Sequence, residues 1–207
     1  MSENFDTLII EAEAQVEGLK KEMEQFKHEF KMNLIPFVQQ WYKDFARNTV
    51  SDEPKLVKEL GVEKLREVKG EVNKLIEDVP NLVDSYMDNN ELWWHLRKDQ
   101  RPKLERRKIS DEIDKEIRSL LMDVAILLHK YGFMEENGGA LSHEFQHGSG
   151  AYAKPIYPLG VQYPNELETA HSNYITRVDR TVATLYRIEK LKEEKEVQNA
   201  GDLWDSL

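Results

Sequence analysis

The chain has 207 residues, enough to bury a core without staples, with 33% charged and 40% hydrophobic residues. It holds no cysteine, which excludes disulfides, thiolate metal sites and a cysteine nucleophile. Its formal charge of -10 argues against nonspecific nucleic-acid binding, which depends on neutralising phosphates, and no apolar run approaches the ~20 residues of a membrane span.

The opening MSENFDTLII is acidic and has no basic stretch followed by an apolar one, so it does not read as a signal peptide, and a cytoplasmic protein is expected. From there Ile9, Ala12, Val16, Leu19, Met23, Phe26 and Phe30 recur at alternating spacings of 3 and 4. Only a helix puts such a heptad-like seam on one side. The seam continues through Leu34, Phe37, Trp41 and Phe45, and the long N-terminal helix spans 1–50. Pro36 lacks the amide of the i to i−4 bond, so a kink or break is expected there.

Central helices fill 51–132. Ser51 is placed as an N-cap with Pro54 in the first turn, and Val57, Leu60, Leu65, Val68, Val72, Leu75 and Val79 point inward until Pro80 ends the helix. A shorter helix then carries Leu82, Tyr86, Trp93 and Leu96. Ser110 caps the next, whose Ile113, Ile117, Leu120, Val124, Leu127 and Tyr131 recur at 3 and 4, widened by Leu121 and Leu128, before Gly132 supplies a left-handed end. This helix belongs in the centre of the core.

Residues 133–164 hold five of the ten glycines and three of the seven prolines, and read as one long loop. A final helix spans 165–198, with Leu167, Ala170, Tyr174, Val178, Leu185, Ile188 and Leu191 as its seam, followed by a tail at 199–207. No segment alternates with period 2. The expected fold is all-α: a single domain over 1–207, built as an antiparallel helical bundle of about five helices.

Three stretches could carry function. His143-Glu144-Phe145-Gln146-His147 fits H-E-x-x-H, in which two histidines one helical turn apart hold zinc and the glutamate acts as general base. Glu166, Glu168 and His171 lie 19, 21 and 24 residues beyond His147 and are candidates for a third ligand. Glycines at 138, 139, 148 and 150 flank the motif and deny it a long helix, so the simpler reading is a polar turn with no metal. The same letters contain two E-x-x-H pairs, Glu144–His147 and Glu168–His171, the half-motif of di-iron bundles, but no inward glutamate from other helices completes that set.

The second stretch, Arg97 to Lys108, carries seven basic residues against two acidic ones, a local charge of +5. With Trp93-Trp94 before it, it could stack bases, yet the overall charge favours an acidic protein partner for Arg101, Arg106 and Arg107. The third is the tail, where Leu203, Trp204 and Leu207 are spaced to dock into a groove. There is no P-loop and no G-x-S-x-G nucleophile elbow. The leading expectation is therefore a helical adaptor or accessory subunit. It would associate with a protein partner or with itself through Val16, Leu19, Met23 and Phe26, with Arg101, Arg106, Arg107 and Trp204 as secondary contacts. A zinc-dependent hydrolase built on His143, Glu144 and His147 is the alternative.

Overall fold

The computed structural model describes residues 4–88, 106–134 and 163–205. Among them every regular element is helical: α1 (Phe5–Asp52), α2 (Pro54–Asp88), α3 (Arg106–Lys130) and α4 (Asn165–Asp205). The helices pack as two compact units. Unit 1 joins α1 up to Phe30 with α4 from Glu168 and takes in residues 106–112. Unit 2 joins the rest of α1 with α2, with α3 from Ile113, and with the chain up to Leu167.

In unit 1, α1 and α4 run antiparallel. Asp6 pairs with Lys195 at 2.6 Å, Glu13 with Lys192 at 2.9 Å and Glu22 with Arg177 at 2.8 Å. Phe30 stacks on Tyr174 with ring centres 5.8 Å apart. Between these ties the heptad positions Ile9, Ala12, Val16 and Met23 are buried, as are Ala170, Val178, Leu185, Ile188 and Leu191 of α4. The apolar period found for both helices is therefore the period of their mutual contact.

In unit 2, α1 and α2 run antiparallel, as do α2 and α3. Lys31 reaches Asp84 at 2.9 Å, and Lys130 reaches Glu71 at 3.1 Å. The core is closed by Leu34, Val38 and Tyr42 of α1, Val79, Val83 and Met87 of α2, and the α3 face from Ile113 to Leu128. Tyr42, wholly buried, donates its hydroxyl to the Leu120 carbonyl, and burial pushes its phenol far above the ordinary range.

Both prolines expected to break helices lie inside them. α1 continues through Pro36: the carbonyl that loses a partner belongs to Met32, itself exposed, so water can satisfy it. α2 continues through Pro80 to Asp88, so residues 81–88 extend α2 instead of opening a separate helix. Pro80 orphans the carbonyl of Ile76, and the Gln39 side-chain amide of α1 donates to it at 3.1 Å. The real interruption is Gly61, at φ 72 and ψ 172, a region almost closed to residues with a Cβ.

Other boundaries also move. Ser51 is not a cap but the last turn of α1, with its hydroxyl bonded to the Arg47 carbonyl, and Pro54 opens α2 directly. α3 starts at Arg106, one turn before Ser110, since serine costs a helix interior only a few tenths of a kcal/mol. α4 runs to Asp205, so most of the expected tail is helical. The end of α3 is as the glycine implies. Gly132 sits at φ 84, its amide donates to the His129 carbonyl and the Phe133 amide to the Leu128 carbonyl, the paired bonds of a Schellman cap.

The inward stripe also shifts. Beyond Met23 the buried positions of α1 are Lys27, Phe30, Leu34, Val38, Tyr42 and Ala46, mostly at steps of four. Phe37, Trp41 and Phe45, expected inward, are half-buried beside them. A step of four advances 400° around a helix, so the buried line walks about 40° per turn.

Candidate functional site

The expected partner-binding seam is covered in part within the chain. Val16 and Met23 are buried, and Val16 lies with Leu185 and Ile188 of α4 along a groove edged by Glu13, Glu17 and Lys192. Leu19 and Phe26 of the same seam are half-exposed. The Arg177 guanidinium stands 4.6 Å from the centre of the Phe26 ring while its Nε pairs with Glu22, so one cation covers an aromatic face and closes the helix pair.

Of the residues considered for zinc, His143, Glu144 and His147 lie outside the described residues. Glu166 and Glu168 are exposed at the start of α4, and the His171 ring sits 5.3 Å from that of Phe30. Among the described residues no three His, Asp or Glu side chains gather where one metal could be held. Arg101 and the Trp93–Trp94 pair also lie outside the described residues. Arg106 and Arg107 fall in the first turn of α3, and Trp204 in the last turn of α4.

An open groove in unit 2 was not singled out from the sequence. Leu75, Leu82 and Tyr86 of α2 face Asp123, Ile126 and Leu127 of α3 across a groove of about 830 Å³. Its signal was present but misread. The spacing places Leu75 and Leu127 in the core and Leu82 on a separate short helix, whereas the neighbouring Ile76, Val83 and Leu128 are the buried ones. α2 therefore carries two apolar stripes side by side, one consumed by the core and one left at the groove. Ile126 is 55% exposed there.

The groove has a polar floor. The Tyr86 hydroxyl donates to both oxygens of Asp123, at 3.2 and 3.3 Å. Burial, and then the carboxylate, push the Tyr86 phenol up to about 12. Burial likewise raises Asp123 above the usual carboxylate range, and the Tyr86 bond offsets part of that. At the other end Glu71 takes Lys130, so the charges there are matched. Such a surface can bind through apolar contact with one charged anchor.

Compared with family models, with curated proteins and with solved structures, the chain matches none. No helix among the described residues is long and apolar enough to cross a membrane.

Proposed function

We propose that the chain is a helical adaptor or accessory subunit that acts through protein–protein association. The observation that supports this most is the second apolar stripe of α2, which with Ile126 and Leu127 leaves contiguous aliphatic surface open in unit 2. Scattered single apolar residues are ordinary on protein surfaces, but a run of them rimmed by charge is the mark of a contact site. Leu19 and Phe26 offer a second, smaller surface on unit 1, and Arg101, Arg106, Arg107 and Trp204 are the secondary contacts in this reading. It also takes the full chain to be one antiparallel bundle of about five helices, cytoplasmic, with 133–164 as a long loop.

The test is to recover the full chain from its own cells at native level and measure what accompanies it. A stoichiometric protein partner, lost with Leu75→Glu or Ile126→Glu while the melting temperature holds, is the expected result. Self-association is read by light scattering. If Leu19→Glu or Phe26→Glu dissociates an oligomer with helicity kept, the seam is the interface. A monomer without partners, containing one zinc that is lost with His143→Ala and His147→Ala, would replace this reading with the hydrolase built on Glu144.

A further inference from the structure

The groove of unit 2 is specific enough to name its occupant's chemistry. Leu75 to Tyr86 spans eleven steps along α2, about 16 Å at 1.5 Å per residue, or three turns. Two antiparallel helices with aliphatic side chains along their open edge form the ordinary cradle for a third helix, read through anchors at i, i+3, i+4 and i+7. The charges make the cradle selective. Glu71, Asp78 and Asp123 line it against Lys74 and Lys130. Lys130 is held by Glu71, so towards Tyr86 the carboxylates set the sign. Asp78 takes a hydrogen bond from Asn81, and among the described residues Asp123 takes only the neutral hydroxyl of Tyr86. A half-buried carboxylate without a cation gains most from one that arrives with its own apolar surroundings.

We propose that this groove receives a single amphipathic helix of a partner protein, which lays aliphatic side chains on Leu75, Leu82, Ile126 and Leu127 and sets a Lys or Arg beside Asp123. A second copy of this chain is the poorer occupant. Two copies would each bring a formal charge of -10, so their association works against net repulsion, which a basic helix of a partner does not meet. The proposal rests on the association reading above and adds the class of partner and its anchor.

The experiment is selection of a displayed library of helical 18-residue peptides, randomised on one face, against the full chain. Enriched peptides should combine an i, i+4, i+7 aliphatic stripe with a Lys or Arg at one register. Their affinity, by calorimetry, should fall at least tenfold with Ile126→Glu and with Asp123→Asn. Selection against Asp123→Lys should instead enrich Asp or Glu at that register. Asp123→Asn keeps an acceptor for Tyr86 and guards against misfolding, checked by an unchanged melting temperature. Peptides without a basic residue, or binding indifferent to both variants, overturn the proposal, as does a dimer of the chain dissociated by Ile126→Glu. If the native partner is recovered but ignores the groove variants, the groove fails and the adaptor reading stands; if no partner is recovered and no peptide is enriched, both fall.

Discussion

Unit 2 closes its core from several sides, whereas unit 1 is chiefly the seam of an antiparallel pair. Leu34, Val38, Leu120 and Val124 in unit 2 are wholly buried; unit 1 buries Phe30, Tyr174 and Val178 as fully, but its Ile9, Leu185 and Leu191 each keep 9% of their surface in water. Ion pairs edge both units: among the described residues three cross between α1 and α4 in unit 1, and Lys31 and Lys130 reach across to α2 in unit 2. The same apolar period therefore carries different weight in the two units. In unit 2 it specifies a core closed by three helices; in unit 1, among the described residues, it specifies chiefly the seam of one antiparallel pair.

Core truncation should separate the units most strongly. Leu120→Ala removes a wholly buried side chain and is expected to cost ~2–5 kcal/mol in denaturant unfolding, whereas Leu185→Ala, at the edge of a groove, should cost less. Equal losses would erase the distinction. Next comes the proline bypass. Gln39→Leu leaves the Ile76 carbonyl without its donor and should cost about 1–2 kcal/mol, a loss that shrinks in a Pro80→Ala background where the helix supplies its own amide. A double-mutant cycle showing no coupling would refute that account.

A smaller effect is expected at the edge of unit 1. Lys195→Glu opposes Asp6 and should cost within about 1 kcal/mol, fading at high salt, because the pair is solvent-exposed. Persistence of the loss at 1 M salt would mean that packing, not charge, holds that end.

The smallest effect is acid sensitivity in unit 2. The bond from Lys64, helped by Tyr131, holds Glu67 below the usual carboxylate range, and the bonds from Lys130 and Tyr131 do the same for Glu71. A carboxylate depressed on folding stabilises above its unfolded pKa and loses that contribution as pH falls through its folded one. Asp123, raised by burial, has the opposite sign: its contribution favours the fold at low pH and is lost as pH rises through its folded pKa. The difference in melting temperature between the wild type and Glu71→Gln should thus narrow as pH is lowered from about 5 to about 3. A constant difference would assign Glu71 no role through its charge.

Much of this architecture was legible in the sequence where one apolar stripe dominated a helix. The α4 seam from Leu167 to Leu191 and the Gly132 cap are found as the spacing implies. Where two stripes lie side by side, periodicity alone cannot choose between them, which is why Leu75 was placed in the core and Ile76 was not. The proline boundaries failed for another reason. A missing amide matters only if its carbonyl has no other donor, and Gln39 lies 37 residues from Ile76 in sequence. The candidate site was hidden by the same ambiguity, since its residues looked like core.

The bond from Gln39 to Ile76 also bears on the order of folding. An isolated α2 meets Pro80 with an unpaired carbonyl and little reason to propagate past it, so residues 81–88 become firmly helical only once α1 has docked. Val83 and Met87, wholly buried core residues, are therefore delivered late, and truncating them should speed unfolding while leaving the folding rate nearly untouched. A proline that would end a helix in isolation here acts as a timer, making the last two turns of α2 conditional on a tertiary contact.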